Sequence, residues 1–378
     1  MPVLPASQPT ADRIGSLDGL RGVAILLVII LHWPVLHYRG ALGEWWTYFK
    51  LLRFAVDVFF VVSGYLIGHI LLESRSNPKY FRDFYLKRIF RIFPLYYSLL
   101  LLFWLASVFV DAPGFQLQGF VWFFLFFHNL FPEVSFPGVL VPLWSLAVEE
   151  QFYLIVPWLI RYCSKKLLLS IIGAAMVIPP LLRALHISGI LDLPHGFTFS
   201  PARMDGILVG VGLACLLRLL PVQDVVERYG PRLLPLGLGF FAVAVALAPV
   251  NGVNEIFWPL LISLGAAAII AHLVSSAHSR HTLLNRSFLR FLGKRCFFLY
   301  IAHMPIFYLC FYHHAAGSRN DWLFCGCTLL ATIVLLLSAE ASWRWVELPL
   351  MRYAKRRTFA ENNLDANAFL FNRGKEEK

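Results

Sequence analysis

Long apolar runs alternate along this chain with short stretches that collect its charges. The first run, RGVAILLVIILHW, sets ten apolar or glycine residues between Arg21 and His32. Runs of this kind predict spanning helices, because a helix needs about 20 apolar residues to cross a bilayer. The pattern places them near 20–38, 54–72, 94–111, 142–162, 167–186, 201–220, 233–250, 255–274, 296–315 and 322–345. The aromatic segment around 118–131, with GFVWFFLFFHNLF, is too short to cross and reads as interfacial or re-entrant. The expected fold is all-α: a polytopic membrane bundle of about ten helices.

Composition agrees. With 378 residues that are 58% hydrophobic and a mean hydropathy of +0.66, the chain is no soluble globule. A net charge of +11 would point a soluble protein toward nucleic acid. Here the ten-helix topology puts all but six of the 33 Lys and Arg residues on one side. The six exceptions are Arg39, Lys50, Arg53, Arg183, Arg203 and Arg319. That asymmetry predicts cytoplasmic termini and accounts for the charge without nucleic acid.

Three regions follow: a polar lead over 1–12, a membrane domain over 13–352 and a polar cytoplasmic tail over 353–378. No cleavable signal peptide is expected, since no small-residue cleavage motif closes the first apolar run. The six cysteines have no framework spacing, so neither disulfides nor a metal site is expected. Gly206 and Gly210 form a small-residue pattern that reads as helix contact.

Several ionisable groups fall inside apolar runs, where they must face protein or water. Eleven residues at 100° each bring Arg21 and His32 within about 20° of one face, about 16 Å apart along the axis. Function and structure weigh evenly for this pair: Arg21 serves equally as a surface anchor and His32 as a packing residue. Asp57, at the same expected depth in the second helix, suits a carboxylate orienting the His32 ring; it also suits a helix cap or a partner for Arg53. Arg88 and Arg91, three apart in LKRIFRIFP, suit a bidentate grip on phosphate, or the cationic loop that topology demands. Ser145, Glu149 and Glu150 in WSLAVEEQFYL suit a polyhydroxylated acceptor or a proton relay; otherwise Ser145 caps the helix and the acids complement its dipole. Ser63 reads as bonding back to its own helix. Arg203, Asp205 and Glu347 add polar groups near helix ends, and His303 sits among aromatics in LYIAHMPI. His37, His313 and His314 read as interfacial.

In order along residues 13–352, SLDGLRGVAILLVIILHW, DVFFVVSGYLIG, KRIFRIFPLYY, WSLAVEEQFYLIVPWL, LYIAHMPI and VELPL resemble the signature of the acyltransferase-3 family of integral-membrane acyltransferases. The resemblance implies O-acyl transfer, commonly acetyl, from cytoplasmic acyl-CoA to a sugar hydroxyl in a surface polysaccharide or glycolipid. It implies a bacterial cytoplasmic membrane and no permanently bound cofactor. It makes His32 the catalytic histidine with Arg21 as its partner, and Arg88 and Arg91 the donor-side pair. Ser145 and Glu149 match polar positions of its fourth helix. The late motif departs from the family's usual form at Cys296 and Ala302, which weakens a role near His303. The chain also ends without the extracytoplasmic hydrolase-like domain of some members, so transfer is expected to finish in the membrane domain or with a separate partner protein. A transporter or flippase of a lipid-linked saccharide or acyl group is the competing class; no inverted repeat supports it.

Overall fold

A computed structural model describes residues 11–34, 50–109, 117–131, 134, 138–219, 223–247, 253–275, 283–315 and 321–358. Every regular element among them is helical. Hydrocarbon offers backbone groups no partners, so a spanning segment must satisfy its own, and the helix does so.

The helices are α1 (Ala11–Leu31), α2 (Ala55–Glu73), α3 (Tyr80–Phe109), α4 (Leu117–Phe124), α5 (Leu143–Tyr162), α6 (Lys165–Ala175) and α7 (Ile178–Ile187). They continue with α8 (Asp205–Leu219), α9 (Gln223–Leu247), α10 (Val253–Val274), α11 (Ser287–Lys294), α12 (Cys296–Ala315) and α13 (Asp321–Ser342). Six helical stretches among the described residues are long and apolar enough to cross a membrane: Leu51–Glu73, Tyr80–Leu105, Lys165–Ile187, Arg228–Leu247, Glu255–Val274 and Trp322–Thr358. The chain is therefore an all-helical integral membrane protein.

Several boundaries differ from the sequence reading. α1 stops at Leu31, leaving His32 in the turn that follows instead of inside a helix running to 38; Pro34, which disfavours helix at the residue before it, follows closely. α3 begins at Tyr80, not near Pro94, so Pro94 lies within the helix and Arg88 and Arg91 are helical. The early start has a cause in packing: Tyr80, Phe84, Ile92, Tyr96 and Leu100 recur at multiples of four and are all buried. Arg88 falls in the gap of that stripe. The expected helix at 167–186 is divided between α6 and α7, where Pro179 and Pro180 open the second piece. α13 passes through a π-turn at Trp343–Glu347 and stays helical to 358. The aromatic segment forms the short α4, whose final carbonyls accept hydrogen bonds from Tyr96 and Tyr97 of α3 at 2.8 and 3.0 Å.

α2 is the central element. Its apolar stretch is 72% buried in protein, against 17% for α3 and for α9, whose outer faces are left for lipid. It packs on α8 through Gly64, Gly206 and Gly210: a Cβ on Gly210 would strike the Val61 carbonyl, and one on Gly64 the Ile207 carbonyl. The pattern at 206 and 210 is thus a helix contact, as expected.

Two buried ion pairs tie this core together. Arg183 of α7, wholly buried, donates to Asp205 at 2.8 Å and to the carbonyls of Ala202 and Ile256. Arg203 donates to Asp57 of α2 at 2.9 Å and lies over the Trp144 ring. Such pairs hold α2, α5, α7, α8 and α10 in one register, since either charge left alone in the interior is costly.

Candidate active site

Three cavities follow one another through the bundle. The first, of about 340 Å³, opens beside Lys87, Arg88, Arg91 and Lys355, with Tyr80, Asn77 and Asp83 in its wall. The second, of about 70 Å³, shares Arg88 and Arg91 with the first and adds Arg21, Ser63, Ser145, Glu149 and Tyr300. The third, of about 240 Å³, shares Val56 and Tyr300 with the second and contains His32, Arg53, Trp144, Arg203, Glu255 and Trp258. Neighbouring cavities share these side chains in their walls.

Arg21 and His32 therefore line successive cavities, about three helical turns apart, and both face protein. The Nε of Arg21 is buried with no hydrogen-bond partner among the described residues. His32 Nδ1 lies 2.9 Å from the Val28 carbonyl. A carbonyl only accepts, so Nδ1 carries a proton, and in the neutral ring the lone pair is on Nε2. Trp33 donates to Thr332 Oγ1 at 3.1 Å, which anchors the chain just beyond His32.

The orienting group is thus the backbone of α1, and the expected Asp57–His32 contact is not formed. Asp57 pairs with Arg203, whereas Arg53, the alternative partner one turn away, lies over Trp258 at 4.8 Å. The reason is direction: the Asp57 carboxylate turns toward Arg203, in the segment that leads into α8.

His303 comes to His32 instead. Their ring centroids are 5.1 Å apart. His303 is wholly buried, its Nδ1 bonded to the Tyr300 carbonyl at 2.7 Å and near that of Leu299. Its Nε2 is buried with no hydrogen-bond partner among the described residues. The departures of the late motif at Cys296 and Ala302 leave this arrangement intact.

Tyr300, which sequence reasoning passed over, forms the wall between the second and third cavities. Its hydroxyl lies 2.7 Å from Ser145 Oγ and 3.0 Å from the Pro142 carbonyl, to which Ser145 also donates. Ser145 thus fastens α5 to α12 in addition to bonding within its own turn. Its signal in the sequence was spacing: Tyr300 stands three residues before His303 and shares its face. Glu149 accepts from Tyr153 at 3.0 Å, and Arg88 lies 4.8 Å over the Tyr153 ring. Glu150 is set apart from the three cavities, with Oε1 buried and unpartnered among the described residues. Gln151 reaches the aromatic segment, donating to the Phe126 carbonyl and to Asn129. His37 and the side chains of His313 and His314 lie outside the described residues.

The fold is a helical membrane bundle with ionisable side chains gathered along a series of cavities, an architecture suited to an integral-membrane enzyme. The chain belongs to the acyltransferase-3 family: the family model, described as an acyltransferase domain, matches residues 14–340. It is similar to peptidoglycan O-acetyltransferase OatA of Listeria monocytogenes, with 28% identity over 366 residues covering 90% of this chain and 56% of that protein. It is also similar to YrhL of Bacillus subtilis, provisionally named a peptidoglycan O-acetyltransferase, with 30% identity over 379 residues covering 92% of this chain and 57% of that protein. A provisionally named O-acetyltransferase of Staphylococcus aureus strain COL is 26% identical over 373 residues, covering 90% of this chain and 57% of its own. The chain thus spans little more than half the length of these relatives. No solved structure matches it.

Proposed function

We propose that this protein moves an acyl group, acetyl in the first instance, from cytoplasmic acyl-CoA to a hydroxyl of a saccharide in a surface polysaccharide or glycolipid. The observation that carries this reading is the cavity series, with Lys87, Arg88, Arg91 and Lys355 at one end and His32 at the other. CoA is a polyanion that does not cross a bilayer. Arg88 and Arg91, with Lys87 and Lys355 beside them, suit its phosphates. The narrow second cavity suits a pantetheine arm, with the unpartnered Nε of Arg21 beside it.

At the third cavity, His32 Nε2 takes the proton of the acceptor hydroxyl as its oxygen attacks the thioester carbonyl carbon. The tetrahedral adduct collapses, the C–S bond breaks and the CoA thiolate leaves to be protonated. Base catalysis of this kind is worth about 10²–10⁴ in rate. Nucleophilic attack by Nε2 itself, giving an acyl-imidazole before the hydroxyl arrives, uses the same lone pair. His303 stands where its own Nε2 lone pair relays or steadies the proton His32 receives. Asp57 acts at one remove, through Arg203 in the acceptor-side wall. Ser145 acts through Tyr300, and Glu149 acts from the second cavity. Glu150 lines none of the three cavities and is given no step in the transfer.

On this reading the arginine end faces the cytoplasm of a bacterial inner membrane, with about ten crossings and both termini inside. An extracytoplasmic domain or partner protein completes delivery where the acceptor is a polymer. The acceptor class is the one named for OatA. The test is purified protein given radiolabelled acetyl-CoA and cell-wall glycan fragments. Label should appear as a base-labile ester on the glycan, and a folded His32→Ala variant should not form it. Wild-type yield from that variant would remove the proposal.

A further inference from the structure

The short helix α11 lies away from the cavity series and has a composition the transfer reaction does not use. Ser287, Arg290, Phe291 and Lys294 recur on it at helical spacing, so all four share one face. That face opens onto a separate cavity of about 310 Å³, completed by Arg295 and Trp343. The opposite face is fixed to the bundle: Leu292 and Gly293 are buried, and a Cβ on Gly293 would strike the Asp18 carbonyl of α1.

The cations of this cavity are not equivalent. Arg295 is engaged by Glu340, which also holds Arg344, and its guanidinium lies 3.8 Å over Phe291. Arg290 and Lys294 make no ion pair with a described residue, although both act electrostatically on the Asp18 carboxylate of α1; the inner side of the Arg290 guanidinium packs against Gly15 of α1, its Nε with no hydrogen-bond partner among the described residues. Its wall holds the Trp343 indole, and exposed apolar side chains stand on α11 and just before it: Phe288 is 56% exposed and Leu283 71%. Basic side chains around a pocket, bordered by exposed apolar and indole groups, match the level of a bilayer where headgroups meet acyl chains.

We propose that the cavity between α11 and Trp343 is a binding site for the phosphate headgroup of an anionic phospholipid. Arg290 and Lys294 neutralise the headgroup, the Ser287 hydroxyl donates to it, and the acyl chains run along Phe288 and Leu283. Charge complementarity selects an acidic lipid over a zwitterionic one, whose own cation would meet Arg290 and Lys294. Since α11 packs backbone to backbone on α1, the helix that carries Arg21, an occupied site braces that helix from the membrane side.

The test uses full-length protein in nanodiscs of phosphatidylcholine doped with phosphatidylglycerol, with bound lipid counted by native mass spectrometry. Wild type should retain phosphatidylglycerol selectively. Arg290→Gln/Lys294→Gln should retain it roughly thirtyfold less, about fivefold for each cation. Lys165→Gln/Lys166→Gln removes the same charge from an exposed helix start with no cavity, and should retain wild-type selectivity. Equal loss in both double variants would reduce the effect to net charge and overturn the site, as would wild-type retention in the first. Should the first variant not fold, the wild type still decides: absence of preference for phosphatidylglycerol over phosphatidylcholine overturns the proposal by itself.

Discussion

His32 and His303, far apart in the chain, face each other with ring centroids 5.1 Å apart. Each has its Nδ1 turned to a backbone carbonyl of its own segment, so both keep the lone pair on Nε2. In their neutral forms the two rings share one tautomer, and at this separation a proton gained by one is felt by the other.

His303→Gln should therefore lower kcat by about 10- to 100-fold, within the span of general acid–base effects. It should also shift the pH profile and leave the donor KM near wild type. A pH–rate series on both enzymes checks this; an unchanged profile with reduced folded yield would mark His303 as packing only.

Arg88→Ala/Arg91→Ala should act on the other end. Losing two charge-assisted contacts, each worth about 1.5–3 kcal/mol, weakens CoA binding by 10²-fold or more. Acceptor affinity should not follow. Calorimetry with CoA and with a glycan fragment separates the two, and equal weakening of both would argue for general damage.

Tyr300 divides the second cavity from the third. Tyr300→Ala should open that wall to water and raise acetyl-CoA hydrolysis relative to transfer. The ratio of free acetate to ester measures it, and a ratio equal to wild type would deny the residue its dividing role.

Arg183→Met should destabilise the fold by about 3–5 kcal/mol, because it leaves Asp205 buried and unpaired. Arg183→Met/Asp205→Asn should recover part of that loss. Thermal unfolding in detergent provides the comparison.

The sequence carried the helices where the apolar runs were long, because a bilayer allows a spanning segment few other forms. It also required His32 to face protein or water, since an ionisable group inside an apolar run is costly against lipid. Partners across the bundle were beyond it. Asp57 meets Arg203 instead of His32, and His303 joins His32, because those contacts depend on how helices pack and not on periodicity. Arg183 was counted as a loop charge, yet it is a buried tie: charge counting by loops sees number and not depth. Helix ends went astray at Leu31, Tyr80 and Met176, where proline and packing compete over which turn is last.

The most direct measurement fixes the two substrates on opposite sides of a membrane. Protein is reconstituted in one orientation, labelled acetyl-CoA is confined to the Arg88 and Arg91 side, and glycan acceptor to the His32 side. Ester should form across the bilayer, and not when both substrates are confined to the His32 side. Ester formed with donor and acceptor together on the His32 side, or none with the donor on the arginine side, would contradict the account.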